Sequence, residues 1–234
     1  MIDLSRRLML PEVMDDPALD PAVYRRCLAD LARVNRVTMT HRATLAWLDR
    51  ALGVWPGAAH FTLLDLASGH GDKLRAIAAL AARRGWRATL VGVDLNPRAT
   101  AAAIAATPPE APIRYVTADA LRYSPETPPD FIVSSQFTHH LADAEVVELL
   151  GRVAAMARRG WLIADLHRHA VPYYGFRWLA RLAGWHEIVR RDGTASIARG
   201  FTRRDWQRYL DAAGVRAEIG WTLPFRHLVG SAPP

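Results

Sequence analysis

One cysteine, Cys27, and one lysine, Lys73, stand among 234 residues. A single cysteine excludes an internal disulfide and points to a reducing compartment. No purely apolar run exceeds about seven residues, against the ~20 that a bilayer-spanning helix needs. The N-terminus, MIDLSRRLMLPEVMDD, carries early acids where a signal peptide needs an apolar centre. The chain therefore reads as cytoplasmic, with no membrane span. Because lysine is so scarce, the net charge of +7 is arginine's. Charge of that size leaves a nucleic-acid partner open without requiring one, since an alanine- and arginine-rich composition produces it too. Half of the residues are hydrophobic, enough for the core of one α/β domain. Repeats and low-complexity tracts are missing beyond an alanine bias.

What is present falls into two regimes. Residues 11–20 read as an irregular lead-in. Asp20 followed by Pro21 is a helix start, a capping oxygen before a residue with no N–H to satisfy. Leu28, Leu31 and Val34 then recur at helical spacing. A second helix is expected over 38–52, ending near Gly53 and Pro56. From residue 61 the pattern changes to short apolar runs, FTLLDL, ATLVGVDL, IRYVTAD, DFIVSS and GWLIADL, separated by helix-length segments at 71–84, 97–106 and 142–158. Strands alternating with helices imply a parallel sheet covered on both faces. Thr202 with Asp205 resembles a capping box opening a last helix that ends near Gly214. VRAEIGW and FRHLVGS close the chain as a hairpin turning at Leu223 and Pro224.

The loop DLASGHGD after the first strand carries the chemistry. Gly69 and Gly71 let a ligand approach the backbone, and the following helix presents free N–H groups. The dehydrogenase pattern G-x-G-x-x-G fails, because Leu74 occupies its third glycine. Acids end three successive strands, Asp65, Asp94 and Asp119. Three carboxylates would repel a pyrophosphate but suit a cationic nucleoside. An acid at the second strand end can also accept both ribose hydroxyls.

DLASGHGD, GVDLNP and ADAL, in this order and spacing, resemble the class I S-adenosylmethionine-dependent methyltransferases over roughly residues 57–232. The resemblance implies an α/β, Rossmann-like, doubly wound and mostly parallel seven-stranded sheet with helices on both faces. It implies S-adenosylmethionine as cofactor and S-adenosylhomocysteine as product. Asp65 would lie near the methionine amino group. Ala67, Ser68, Gly69 and Gly71 would form the loop under the cofactor, with Ser135 facing it from the fourth strand. Asp94 would hold the ribose, Leu95 would pack on adenine, and Asp119 and Ala120 would meet the adenine edge. The chain departs from the family pattern at Ala67, where glycine is preferred, and at Asp72, where glycine is frequent. The N-terminal stretch is similar to methyltransferases of small aromatic natural products, including those beside polyketide synthases. That places residues 1–56 as a helical lid on a core of 57–234, with an acceptor-binding insertion at about 166–201.

Methyl transfer needs alignment, exclusion of water and, for a hydroxyl acceptor, a base. His139 and His140 follow the fourth strand, whose end faces the reactive methyl in this fold. An imidazole titrates near ~6.5 and can serve as that base. His167, Arg168, Tyr173, Tyr174 and Trp178 follow the fifth strand at a density suited to a flat aromatic acceptor, though also to a helix packed on a sheet. A metal is not expected, because strand four ends in Ser134, Ser135 and Gln136, and of the hard ligands only Asp165 remains. PPDF at 128–131 precedes the fourth strand, whereas base-methylating enzymes carry their Pro-Pro-aromatic motif after it. Cys27 lies in the wrong element for a cytosine-methylating nucleophile. The expectation is O-methylation of a small phenolic or quinonoid acceptor. The alternatives are an RNA methyltransferase and a catalytically silent methyltransferase-like binding protein.

Overall fold

The computed structural model describes residues 2–54 and 60–231. In chain order the elements are α1 (Pro21–Val37), α2 (Arg42–Gly53), β1 (His60–Leu66), α3 (Asp72–Arg84), β2 (Arg87–Asp94), α4 (Pro97–Ala105), β3 (Ile113–Thr117), β4 (Phe131–Ser135), α5 (Asp143–Met156), β5 (Gly160–Leu166), α6 (Ala170–Leu182), α7 (Glu187–Arg199), α8 (Arg203–Ala213), β6 (Glu218–Thr222) and β7 (Arg226–Gly230). Asp20 caps α1 by accepting from the N–H groups of Ala22 and Val23. Thr202 and Asp205 close the expected capping box on α8. The expected lid–core boundary at 56/57, and the Pro56 end of the second helix, lie outside the described residues.

The seven strands form one sheet in the order β3-β2-β1-β4-β5-β7-β6. β7 runs antiparallel to both β5 and β6, and the remaining pairs are parallel. Strand side chains alternate between the faces with a period of two. Phe61 and Leu63 of β1 pack under α2 and α3 with Trp47, Leu48, Leu74 and Ile77. Leu64 and Leu66 pack on the other face with α5 and α8, against Leu149, Leu150, Trp206 and Leu210. Burial on both faces explains why the strands read as continuous apolar runs rather than alternating ones. Strand order reverses between β1 and β4, and at such a switch point ligands gather at the carboxyl ends of the strands. Among the described residues no helix is long and apolar enough to cross a membrane.

The stretch after β5 folds into α6 and α7, and Cys27 and Val34 of α1 pack with Ala180, Trp185 and Val189 there. The aromatic density at 173–178 is thus helical.

His227 on β7 is buried beside His167, with the Gly220 backbone near its ring. Burial, with His167 beside it, pushes its pKa down from 6.5 to about 4. A depressed histidine contributes stability that is complete above the unfolded value and is lost as pH falls from 6.5 through 4. Wild-type Tm should therefore fall across that window, and His227→Leu should flatten the fall. Parallel Tm–pH curves for the two proteins would contradict this.

Candidate active site at the β1/β4 switch point

A cavity of about 460 Å³ opens at the carboxyl ends of β1 and β4. One wall is the glycine loop, Ala67 to His70, and the other is Ser135 to His140 beyond β4. α1, α6 and α7 close it from above through residues such as Leu31, Phe176 and Ile197.

The loop after β1 turns through three left-handed residues, Ala67 (φ 57), Gly69 (φ 52) and Gly71 (φ 73). Gly71 is obligatory, since a Cβ there would run into the Tyr115 ring. Ala67 carries a Cβ in a conformation that costs a non-glycine residue ~1–2 kcal/mol. Ala67→Gly should therefore raise Tm by a few degrees, from a gain of ~1 kcal/mol. An unchanged or lower Tm would show that the turn is unstrained.

Asp65 does not reach the cavity. It is fully buried and pairs with Lys73 Nζ at 2.7 Å, because alternation places it on the α3 face of β1. Burial pushes its carboxyl up and Lys73 opposes that. Lys73 itself lines the cavity, so the single lysine stands between Asp65 and any ligand. Asp72, one residue before it, accepts from His41 Nε2 at 2.8 Å and Asn35 Nδ2 at 2.9 Å. Burial raises this carboxyl, yet the two hydrogen bonds outweigh it and hold it well below the usual range.

Asp94 is half-buried at the end of β2. It accepts from the N–H groups of Gly69 at 2.8 Å and Asn96 at 2.9 Å. Burial raises its carboxyl and these donors pull the other way. The carboxylate thus ties the glycine loop to β2. Leu95 beside it is exposed, Ala120 is buried in the α5/α8 core, and Asp119 accepts from Leu121 N–H. None of these four residues lines the cavity. Tyr24 of α1 approaches this corner, its hydroxyl accepting from Asn96 Nδ2 at 2.9 Å.

His139 and His140 sit on one 3-10 turn, Thr138–His140, and differ sharply. His139 is buried, and its Nδ1 meets Asp165 Oδ1 at 2.7 Å. Asp165 also accepts from Thr138 Oγ1 at 2.6 Å and from the N–H of His139 at 3.1 Å. Burial would raise the Asp165 carboxyl, but the imidazole and these donors hold it down at about 2. An ionised carboxylate on Nδ1 fixes the tautomer with the proton there, leaving the Nε2 lone pair free. His139 lines the cavity, and its Nε2 is buried without a hydrogen-bond partner, with Glu12 Oε1 4.0 Å away. His140 instead faces Asp15 at 3.7 Å and Glu12 at 3.9 Å, and receives Arg199 at 3.2 Å. Burial lowers its pKa, but the two acids outweigh that and leave it raised.

The expected acceptor residues do not all meet here. His167 lines the cavity, whereas Arg168, Tyr173, Tyr174 and Trp178 do not. Arg168 is buried elsewhere, bonded to Asp205 at 3.0 Å and to the carbonyls of Leu4 and Gly200. Tyr173 packs with Ile197 and Ala198, and Trp178 is 65% exposed. The reason is the face of α6: Val171, Pro172, Gly175, Phe176 and Leu179 turn inward, so Tyr174 and Trp178 turn out. Sequence reading missed Asp165 as a partner of His139, although it ends β5 as Asp65 and Asp94 end β1 and β2. It also missed Glu12, Lys73 and Arg226, for which the sequence carried no signal.

Residues 63–160 match the family model described as a methyltransferase domain, and the fold is that of the class I methyltransferases. The plantazolicin methyltransferase BpumL in complex with SAH aligns with TM-score 0.66 and 15% identity, over 87% of this chain and 76% of that one. Human N-acetylserotonin methyltransferase in complex with SAM aligns at 0.61 and 18%, over 97% and 62%. Magnesium protoporphyrin IX methyltransferase from Synechocystis PCC 6803 with bound SAH aligns at 0.53 and 15%, over 93% and 89%. No curated protein matches in a sequence search.

Proposed function

From a chain that carries a methyltransferase domain at 63–160 in a class I methyltransferase fold, we propose an S-adenosylmethionine-dependent methyltransferase that O-methylates a small phenolic or quinonoid acceptor. One observation carries the reading: the glycine loop and His139, whose ring is oriented by Asp165, line one cavity. The walls fit a polar cofactor tail beside an apolar acceptor. Ser135 Oγ, Gln136 Oε1 and His139 Nε2 are buried polar atoms without partners at the end of β4, where a ligand's polar groups would satisfy them. α6 and α7 supply apolar surface opposite, as a flat ring requires.

S-adenosylmethionine supplies an electrophilic methyl group when bound. The chain's own work is to hold the acceptor in line, exclude water and take a proton. Phe176, Leu179 and Ile197 exclude water from the side facing the imidazole. His139 Nε2 would accept the proton of the acceptor hydroxyl, and the charge appearing on the ring would be stabilised by Asp165 at Nδ1. The three neighbours are methyltransferases of plantazolicin, magnesium protoporphyrin IX and N-acetylserotonin, so their variety leaves the acceptor to this chain's own cavity. Release of S-adenosylhomocysteine in a screen of phenols and hydroquinones tests the assignment. Binding of S-adenosylhomocysteine without turnover of any hydroxylated aromatic would favour a silent binding protein.

Glu12, His139 and His140 bring three potential ligand atoms within 4.8 Å of one another. Glu12 Oε1 already accepts from Arg199 at 2.9 Å and Ser196 at 2.8 Å. A dication there would have to displace or face a buried guanidinium. Turnover should therefore be unchanged by EDTA. Loss on chelation, restored by a divalent ion, would overturn metal-independent transfer.

A further inference from the structure

The described residues include three buried arginines, Arg168, Arg199 and Arg226. Arg168 is paired with Asp205 at 3.0 Å, and Arg199 with Glu12 at 2.9 Å. Among the described residues no carboxylate lies within 4.0 Å of Arg226. Its hydrogen bonds go to neutral oxygens on the α1–α2 turn and the β6–β7 turn. Nη2 donates to Thr40 Oγ1 at 2.8 Å and Thr38 Oγ1 at 3.1 Å, and Nη1 makes only long contacts to the carbonyls of Pro224 and Thr38 at 3.3 and 3.4 Å. Nε has no partner. The acid whose field it feels, Asp165, is already engaged by His139 and Thr138.

A buried guanidinium without a counter-charge is expensive, which is why buried charges are almost always paired. Burial pushes the Arg226 pKa down to about 10, so the group is still cationic at neutral pH. The side chain lines the same cavity as the glycine loop and His139. It sits opposite the last residue of β5, in register with Leu166. A carboxylate entering the cavity would supply what this arginine lacks, and a guanidinium fork matches a carboxylate in two parallel hydrogen bonds.

We propose that Arg226, held by Thr38 and Thr40, is a carboxylate receptor in the cavity wall. Two ligands could bring that chemistry: the amino-acid tail of the cofactor, in which case the inference rests on the function proposed above, or an acid group on the acceptor. Calorimetric titration of wild type, Arg226→Met and Arg226→Lys distinguishes them. The probes are S-adenosylhomocysteine, 5′-methylthioadenosine, which lacks the amino-acid tail, and benzoate as a minimal aromatic acid. With the cofactor tail as occupant, Arg226→Met weakens S-adenosylhomocysteine about tenfold or more and leaves methylthioadenosine unchanged, and lysine restores part of the loss. With an acceptor acid as occupant, the variant loses benzoate and keeps S-adenosylhomocysteine. Unchanged affinity for both carboxylates in a variant with wild-type circular dichroism overturns the proposal. So does a wild type that holds S-adenosylhomocysteine no better than methylthioadenosine and does not bind benzoate, a result that needs no variant to fold. Failure of wild type to bind either nucleoside sinks the cofactor reading instead, and the benzoate titration then decides the receptor alone.

Discussion

His139→Ala lowers kcat by about 10²–10⁴-fold and leaves S-adenosylhomocysteine affinity within about threefold of wild type. The size follows from what a positioned base contributes, and the direction from the geometry. His139 lines the cavity, and its Nδ1 is engaged by a buried carboxylate at 2.7 Å, which leaves Nε2 as the ring nitrogen without a hydrogen bond. Asp165→Asn tests the positioning role separately. It keeps the size of the side chain but removes the charge that fixes the tautomer, so kcat falls while the imidazole remains. His140→Ala is the control. Its ring is enclosed by Glu12, Asp15 and Arg199, so its loss lowers Tm more than kcat. Wild-type rates in both histidine variants would show that neither ring is the base. His167 in the same wall, or an acceptor that arrives ionised, would then be the alternative.

Asp94→Ala weakens S-adenosylhomocysteine by about 30–700-fold, corresponding to ~2–4 kcal/mol for a carboxylate accepting hydroxyl hydrogen bonds. The structure adds a second route to the loss. Asp94 accepts from Gly69 N–H, so alanine releases the glycine loop from β2 as well as removing the acceptor that the proposed cofactor's ribose would use. Asp94→Asn separates the two routes, because its amide oxygen can keep the Gly69 bond while the charge is gone. Affinity within about threefold of wild type in Asp94→Ala would remove Asp94 from the cofactor site.

The core of the fold was legible because its signals are local. The parallel strands are short apolar runs, and β1, β2 and β5 carry an acid, Asp65, Asp94 and Asp165, at or next to their carboxyl ends. Asp20–Pro21 and Thr202–Asp205 announced helix starts through hydrogen bonds closed within three residues. The order of DLASGHGD, GVDLNP and ADAL tied three such strand ends into one nucleotide-binding pattern. α6 and α7 were harder to read. Their inward and outward faces both carry large apolar side chains, with Phe176 inside and Trp178 at 65% exposure outside. Composition marked that segment as aromatic but could not show which ring turns toward a ligand.

The sequence by itself determined the doubly wound sheet, the glycine loop after β1 and the presence of two histidines after β4, since each depends on residues close together in the chain. Only the tertiary structure decided which histidine is oriented and which acids are available. Asp165 lies 26 residues from His139, Glu12 lies 127 residues before it, and Lys73 reaches Asp65 because α3 folds back over β1. Arg226 lies 186 residues from the Thr40 hydroxyl that holds it. Charges in a protein interior are set by which groups packing brings within hydrogen-bond distance and by how much water it removes. Neither quantity has a period or a spacing in sequence, so the chemistry of the cavity became visible only once β1, β4, β5 and β7 stood side by side.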